Sequence, residues 1–231
     1  MVLNRRGTKL QSINDLGQVV PEELMQALKQ KASIVELSKR KMIYQLGDRA
    51  DTIYIVKEGL VKRGIYSEKG RILLRDIYFD GHIFGESALF GRTIRNSFTQ
   101  ARGKVKLYAL SIDKVRELIN EDYRIAFLFG NLVSAKLHRS EERLSVLVFK
   151  GAEFRIVNFL YNLSAQKGQQ EGHDIEVPYF FTHEEIAQIT DTSRQIVTKI
   201  LNKLRRDKLI SFDRKSLTIH NMTALETYLE D

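Results

Sequence analysis

Residues 181–212 read FTHEEIAQITDTSRQIVTKILNKLRRDKLISF and predict two short helices joined by a tight turn. Thr182 stands before the first helix and Glu185 follows three positions later, which is the spacing of a capping box. Ten residues on, Thr192 and Gln195 repeat that spacing. We therefore expect Thr192 to cap the second helix and the first helix to end by about Thr190.

The second of these helices has one apolar face and one polar, basic face. Residues at helical spacing predict packing onto the first helix, namely Ile196, Val197, Ile200, Leu201 and Leu204. The opposite face carries side chains that can hydrogen-bond to base edges and phosphates: Arg194, Gln195, Thr198, Lys199, Asn202, Lys203 and Arg206. Two helices joined in this way can present such a face to the major groove of DNA.

Positive charge is concentrated in the same segment. Between Thr192 and Lys215 eight basic residues stand against two acidic ones, a net +6 out of +8 for the whole chain. Residues 209–212 and 217–219 then predict a β-hairpin wing whose basic tip, with Arg214, can reach phosphate. The candidate DNA-binding residues are Thr182, Thr192, Ser193, Arg194, Gln195, Thr198, Lys199, Lys203 and Arg214. The alternative is an ordinary helical hairpin whose basic face is simply solvated.

The N-terminal half of the chain is typical of a β-sandwich or barrel. Short β-branched and aromatic runs alternate with turn residues; they lie at 34–37, 42–44, 53–56, 60–66, 72–79 and 105–110. Many short strands at such regular spacing, before a helical half, give the fold class α+β.

After Asp113 the apolar period changes to that of helices. A heptad seam of about three repeats predicts a long dimerisation helix; its members are Ala126, Gly130, Val133, Leu137, Ser140, Leu144 and Leu147. A second stripe, Ile125, Leu128, Phe129 and Leu132, lies beside it. A single amphipathic core helix explains the same spacing. Farther along, residues 155–165 predict a shorter helix and residues 166–174 a polar surface loop.

Composition excludes several classes of function. The 231 residues include no cysteine, which excludes disulfides, thiolate zinc sites and cysteine nucleophiles. No apolar run approaches the roughly 18 residues of a membrane helix and the first residues are polar, so we expect a cytoplasmic protein without membrane contact. No Walker loop, G-x-S-x-G or H-E-x-x-H motif is present, and we expect no enzyme and no metal site.

The segment 181–212 resembles the winged helix-turn-helix of the Crp/Fnr superfamily of bacterial transcription regulators. Its recognition helix follows the family pattern S-R-x-x-V-x-[KR] from Ser193 to Lys199. Upstream, LGDRADTIYIVKEGLVK at 46–62 is similar to the family's barrel turn and strand, and HIFGESALFGRTIRNSFTQA at 82–101 to its phosphate-binding cassette. The resemblance implies an N-terminal double-stranded β-roll, a long dimerisation helix and a C-terminal winged helix-turn-helix, divided at 1–112, 113–150 and 151–231.

The resemblance also implies a ligand site. In nucleotide-binding members a G-E pair meets the ribose and an R-S pair the cyclic phosphate. Gly85-Glu86 matches the first pair and Arg95-Asn96 stands in place of the second. In these members residues of the long helix contact the adenine. Counting back from the matching L-x-F at 147–149 places Ser140 and Glu141 at those positions. The implied effector residues are Gly85, Glu86, Ser87, Arg95, Asn96, Ser97, Ser140 and Glu141; the alternative is that Glu86 and Arg95 serve the fold.

The effector itself stays open at this point. Asn96 replaces a serine and the cassette is one residue short, so we expect cyclic AMP to bind poorly; another small anion or no ligand are the alternatives. Haem bound through histidine also stays open, although the five histidines have no ligand spacing. We expect a homodimer that binds double-stranded DNA, with RNA polymerase as a partner implied by the resemblance. The rival hypothesis is a cyclic-nucleotide-binding adaptor that does not act at an operator.

Overall fold

The computed structural model describes residues 20–178, 180–213 and 215–229. The chain forms two compact units, which within the described residues comprise 20–138 and 139–229. A 26-residue helix, α3, supplies its first part to one unit and its last part to the other. The units are described one at a time below.

The first unit contains eight strands and the helices that flank them. Its elements are α1 (Glu22–Lys31), β1 (Ser33–Leu37), β2 (Met42–Tyr44), β3 (Thr52–Glu58), β4 (Val61–Tyr66), β5 (Ile72–Tyr78), β6 (Ile83–Phe84), a short 3₁₀ helix (Glu86–Phe90), β7 (Phe98–Ala101), β8 (Val105–Ser111), α2 (Ile112–Glu121) and the start of α3 (Arg124–Phe149). The strands form two four-stranded antiparallel sheets, β1-β8-β3-β6 and β2-β7-β4-β5. The predicted two-layer β-roll is confirmed.

Strand β3 shows how the sequence builds this unit. Side chains alternate between the two faces of a strand, and both faces of β3 are covered. Val56 joins a core made by both sheets, together with Tyr78, Phe84 and Leu107. Ile53 and Ile55 lie on the opposite face of β3 from Val56 and belong to a second core. This sheet is therefore the middle layer of the unit.

The second core packs helices on the outer face of the β1-β8-β3-β6 sheet. Leu28 of α1, Val115 of α2 and Phe129 of α3 all lie in it and are almost fully buried. The whole stripe predicted beside the seam is buried, namely Ile125, Leu128, Phe129 and Leu132. One face of α3 is thereby fixed against the first unit.

The second unit is a small α+β domain. Its elements are the end of α3, α4 (Ala152–Lys167), β9 (Gln169–Glu171), β10 (Asp174–Val177), α5 (His183–Thr190), α6 (Arg194–Arg206), β11 (Ile210–Phe212), β12 (Leu217–Ile219) and α7 (Met222–Thr227). The strands pair in the order β11-β12-β10-β9. Helices α5 and α6 with the β11–β12 hairpin form the predicted winged helix-turn-helix.

Some elements differ from the sequence-based expectations. The surface loop expected at 166–174 contains β9 and leads into β10, with a turn at Gly172, where φ is +63°. All three residues of β9 are exposed, so the strand has no apolar alternation by which to recognise it. Strands β6 and β7 were also not anticipated; β6 is only two residues long, and both strands lie within the segment 82–101 that was assigned to the cassette.

Glycine at position 64 is required by close packing within the β2-β7-β4-β5 sheet. The β4–β5 register shifts between Arg63 and Gly64, as at a β-bulge. A Cβ on Gly64 would lie 2.7 Å from Cζ of Phe98 and 2.8 Å from the carbonyl oxygen of Leu73. The second contact is with a backbone atom, so a side-chain movement cannot relieve it.

Gly64→Ala is expected to lower the free energy of unfolding by about 1 to 3 kcal/mol, the usual cost of overpacking. Gly103→Ala is the matched control, because a Cβ there has no neighbour within 4 Å. Urea unfolding followed by circular dichroism measures both. Equal stability of the two variants would show that the sheet accommodates the methyl group.

Candidate functional site

Helix α5 begins with the capping box that the sequence predicts. The Thr182 hydroxyl accepts a hydrogen bond from the Glu185 backbone N–H at 3.2 Å, and the Glu185 carboxylate accepts from the Thr182 N–H at 3.0 Å. The helix ends at Thr190 as expected. Asp191 follows in the left-handed conformation, with φ of +50°, and turns the chain towards α6.

The cap of α6 is Ser193, so the prediction of Thr192 as the cap is wrong. The Ser193 Oγ accepts a hydrogen bond from the Ile196 N–H at 3.2 Å. Thr192 makes a hydrogen bond within the turn, because its Oγ1 lies 3.2 Å from Oγ1 of Thr190. The Thr190 hydroxyl itself donates to the Ile186 carbonyl at 2.7 Å. Thr192 therefore donates to Thr190 and is one position too early to cap the helix.

Helix α6 turns four apolar residues inward, namely Val197, Ile200, Leu201 and Leu204. Ile196 was expected on this stripe but is 40% exposed. Successive residues of an α-helix are rotated by about 100° around its axis, so Ile196 lies to one side of the buried face that contains Val197. Arg194, Gln195 and Lys199 are exposed on the first turns of the helix, and Arg206 is exposed at its end.

Thr198 of α6 is hydrogen-bonded inside the unit. Its hydroxyl donates to the Arg194 carbonyl at 2.9 Å, and Nδ1 of His183 lies 2.8 Å from the same oxygen. Because that hydroxyl has only one proton, His183 must be the donor and carries its proton on Nδ1. Burial and the nearby charge of Arg194 lower the pKa of His183 below its ordinary value.

Lys203 also has a partner within the unit. Its ammonium lies 2.7 Å from the Glu153 carboxylate and 5.1 Å from the centre of the Tyr228 ring. The hydrogen bond to Glu153 raises the pKa of Lys203. A phosphate contact by Lys203 stays a prediction and would compete with Glu153.

The wing is held by two polar clusters. At its tip, Asp213 accepts hydrogen bonds from the backbone N–H groups of Lys215 and Ser216, which lower the pKa of Asp213. At its base, His220 lies 2.9 Å from the Asp174 carboxylate and 3.0 Å from the Ser211 hydroxyl. The predicted phosphate ligand Arg214 lies outside the described residues.

Two arginines that the sequence did not single out hold the turn between α5 and α6. Arg143, near the end of α3, donates to the Ile189 carbonyl at 2.7 Å. Arg155 of α4 donates to the carbonyls of Thr190 and Asp191 at 2.8 and 3.1 Å. These bonds satisfy the carbonyls at the end of α5, where a cation is also favoured by the helix dipole.

The cassette residues lie in the first unit. Gly85 adopts φ of +86°, and a Cβ there would lie 3.0 Å from the Thr52 carbonyl oxygen. Glu86 follows and is buried; its carboxylate forms an ion pair with Lys136 of α3 at 2.7 Å. Although burial by itself raises the pKa of a carboxyl, the Lys136 charge and hydrogen bond hold the pKa of Glu86 below its ordinary value.

Lys136 was missed by the sequence analysis, although a signal was present. It lies four residues beyond Leu132, so it continues the buried stripe of α3 by one turn. A lysine at such a position needs an acidic partner, because an unpaired buried charge is costly. The side chains of Lys136 and Glu86 are only 13% and 7% exposed.

Arg95 is buried and held by the fold. Its guanidinium donates to the carbonyls of Gly85 and Thr52 and lies 4.3 Å from the centre of the Tyr44 ring. Its Nε has no hydrogen-bond partner among the described residues. The predicted neighbours differ in burial: Ser97 is buried, whereas Asn96 is exposed.

The remaining predicted effector and dimer residues can be placed individually. Ser87 is exposed on the short 3₁₀ helix, and Ser140 and Glu141 are exposed residues of the second unit. The seam positions Ala126, Val133, Leu137 and Leu144 are exposed as well, whereas Leu147 is half-buried. Their roles in ligand binding and dimerisation stay predictions.

Two family models match the chain. A model of the cyclic nucleotide-binding domain matches residues 34–122, and one of the Crp-like helix-turn-helix domain matches residues 154–228. The chain belongs to the Crp/Fnr superfamily of transcription regulators. It is a DNA-binding regulator of the Crp/Fnr type.

Curated relatives of this Crp/Fnr protein are regulators that match over most of their length. The CRP-like cAMP-activated global transcriptional regulator of Mycobacterium tuberculosis is 27% identical over 90% of this chain and 93% of its own length. The global nitrogen regulator of a Nostoc species is 26% identical over 83% and 87%.

Solved structures show the same fold. FixK2 from Bradyrhizobium japonicum matches with a TM-score of 0.76 and 17% identity, over 85% of this chain and 96% of its own. The c-di-GMP-responsive global regulator CLP from Xanthomonas campestris matches with a TM-score of 0.75 and 22% identity, over 87% and 100%.

Neither a membrane-spanning helix nor a metal site is found among the described residues. No helix there is long and apolar enough to span a membrane. Nor do those residues bring together three or more His, Cys, Asp or Glu side chains in a way that could hold a metal ion.

The lowered pKa of His183 predicts a dependence of stability on pH. Below the ordinary histidine value of 6.5 the unfolded chain takes up a proton before the folded chain does, so the free energy of unfolding falls as the pH drops. In His183→Asn the titrating group is gone and an amide N–H can still reach Thr198.

Urea unfolding between about pH 7.5 and pH 5.5 tests this dependence. The wild-type protein is expected to lose stability relative to the Asn variant as the pH falls. Parallel pH profiles would contradict the assignment of His183 as a neutral donor.

Proposed function

We propose that this Crp/Fnr regulator acts as a homodimer that inserts two α6 helices into successive major grooves of a two-fold-symmetric operator. The observation that carries the proposal is the first turn of α6. It is capped at Ser193 and leaves Arg194 and Gln195 exposed, with Lys199 exposed one turn beyond Gln195. The N-terminal residues of a recognition helix are the ones that contact base edges in this motif.

Support for pairing comes from the outward face of α3. While one stripe of this helix is buried, large apolar side chains on another side are exposed: Phe127 by 67%, Val133 by 37%, Leu137 by 59%, Leu144 by 62% and Val148 by 63%. A row of exposed apolar side chains along a helix is typical of an association surface. A second copy would cover it with an identical row, as heptad spacing favours.

The roles at the DNA divide by chemistry. Arg194 and Lys199 can donate to guanine, and Gln195 can pair with adenine. The Ser193 hydroxyl, with Lys203 and Arg214, would contact phosphate oxygens and set the position of the protein. The Thr182 hydroxyl donates to the Glu185 carboxylate at 3.2 Å, so a phosphate contact by Thr182 would compete with Glu185. Thr192 and Thr198 hold the turn and the helix, and they act on the DNA through that positioning.

The cassette residues implied for a cyclic nucleotide already have partners within the chain. The carboxylate that would accept from a ribose hydroxyl, Glu86, is paired with Lys136. Two nitrogens of Arg95 are bonded to backbone carbonyls, and the exposed Asn96 stands where nucleotide-binding members have serine. Some relatives are named as cAMP-activated; in this chain we propose that cyclic AMP is not the effector.

The remaining parts of the proposal come from the sequence and from the family resemblance. The protein acts in the cytoplasm, with RNA polymerase as its partner and without an enzymatic activity of its own. The adaptor hypothesis differs in one observable: an adaptor has no preference among DNA sequences. Selection of duplexes from a random pool separates the two, because a regulator enriches a two-fold-symmetric sequence.

The pairing surface is tested by Val133→Glu with Leu144→Glu. Two carboxylates on each facing helix place like charges against one another, so monomers and loss of operator affinity are expected. Leu46→Glu with Ile94→Glu is the control, because these apolar side chains are also exposed, by 63% and 58%, and do not belong to α3. Analytical ultracentrifugation measures the mass; a dimer that persists in the α3 variant would reject this surface.

Base reading is tested by Arg194→Ala. The variant is expected to lose about 1 to 3 kcal/mol of binding free energy at the selected operator and to relax the preference at one base pair. Lys203→Ala is expected to weaken all duplexes alike, because a phosphate contact carries no sequence information. Fluorescence anisotropy with the operator and its single-base variants distinguishes them; uniform weakening by Arg194→Ala would show that this arginine contacts only the backbone.

A further inference from the structure

The last turns of α3 meet the rest of the second unit along one side of the helix. Between residues 141 and 149, Arg143, Val146 and Leu147 are half-buried, and the other residues are exposed. Offsets of three and four residues place these side chains on the same face of a helix. The face of α3 that meets α4 and α5 therefore carries one guanidinium and two apolar side chains.

The apolar part of this contact is not closely packed. A cavity of about 20 Å³ lies between the three helices, and its lining includes Val146 and Leu147 of α3, Phe159 of α4 and Ile189 of α5. Such a volume has room for about one water molecule. Because dispersion attraction requires close approach, side chains that border a void restrain the helix weakly.

The polar part of the contact has a defined direction. The Arg143 guanidinium donates to the Ile189 carbonyl at 2.7 Å. This carbonyl belongs to the last turn of α5, where carbonyls have no partner within the helix. Hydrogen bonds from a charged donor are shorter and stronger than neutral ones. Arg143 thus fixes the end of α5 against the side of α3.

Arg155 of α4 makes a second connection between the same two helices. It donates to the carbonyl of Lys150, the residue after α3, at 2.9 Å, and to the carbonyls of Thr190 and Asp191 at 2.8 and 3.1 Å. A single attachment at the end of α3 would allow the helix to pivot there. Arg143 lies about two turns before that end and prevents the pivot.

The orientation of α3 against α5 determines where the recognition helix lies. Helix α6 begins at Arg194, after a three-residue turn that follows α5. In the proposed dimer the two α3 helices pair with one another. The separation of the two α6 helices, which must match the half-sites on the DNA, therefore depends on the angle that Arg143 and Arg155 hold.

We propose that Arg143 is a positioning residue that sets the separation of the two recognition helices, and with it the half-site spacing that an operator must have. The proposal rests on the homodimeric operator binding proposed above and names a residue that determines the geometry of the operator. Arg143 acts through the position of α6, so the base preference within each half-site belongs to α6 alone.

The experiment compares the full-length wild type with Arg143→Met on three kinds of duplex. These are the selected operator, the same operator with one base pair added or removed between the half-sites, and a single half-site. A looser connection lowers the effective concentration of the second half-site. Arg143→Met is therefore expected to bind the selected operator at least about tenfold more weakly, to discriminate less between spacings, and to bind the single half-site as the wild type does.

Two further variants control for charge and for the donor. Arg143→Lys keeps a charged donor and is expected to restore most of the spacing preference. Arg116→Met is the matched control, because it removes the same charge from the surface of α2, where Arg116 is 63% exposed and pairs with Asp113. It should bind all three kinds of duplex as the wild type does. Fluorescence anisotropy measures each affinity.

Val146→Ala separates the hydrogen bond from general packing. It removes an apolar group that lines the same cavity and leaves the bond between Arg143 and Ile189 intact. It is expected to lower thermal stability and to keep the spacing preference of the wild type. If Val146→Ala relaxes that preference as much as Arg143→Met does, ordinary packing orients the helix and the proposal is wrong.

Other outcomes distinguish this inference from the proposed function. A merely structural role for Arg143 would reduce the active fraction, so Arg143→Met would weaken all duplexes alike and leave the ratio between spacings unchanged; that result would overturn the inference, as would unchanged binding. Failure of the wild type to enrich any two-fold-symmetric sequence would instead reject operator binding by a dimer, and the inference with it.

Discussion

Helix α3 has to satisfy two apolar faces at once, and the organisation of the molecule depends on this constraint. One stripe, centred on Phe129, is buried in the first unit together with α1, α2 and the outer face of a sheet. Another row, with Leu137 and Leu144 exposed by about 60%, is left uncovered along the same helix. The first face fixes the helix to its own β-roll, and a second copy of the chain is the partner we propose for the other.

Electrostatic contacts then place the functional residues. In the second unit, Arg143 and Arg155 bind the carbonyls at the end of α5, and Ser193 caps α6. In the first unit, Lys136 binds Glu86. Each of these contacts satisfies a charge or a backbone dipole, and for the buried Glu86 and Lys136 an unpaired charge would be costly. The helices therefore have defined positions, as a helix that reads DNA requires.

The local patterns of the sequence predicted much of this. The box at Thr182 and Glu185 located α5, and alternating apolar runs located most strands of the β-roll. The errors arose where two residues of similar chemistry are adjacent, as with Thr192 and Ser193, or where a strand has no apolar side, as in β9. The partners of Lys136 and Arg155 could not be predicted, because pairs 50 and 35 positions apart are set by the fold.

The spacing of the two half-sites in the selected operator tests the paired regulator most directly. A dimer places its recognition helices about one helical turn, roughly 34 Å, apart on one side of the DNA. Inserting about 5 base pairs between the half-sites moves one of them to the opposite side of the duplex. A dimer should then bind with the affinity of nonspecific DNA, whereas unchanged affinity would mean that a single chain reads a single site.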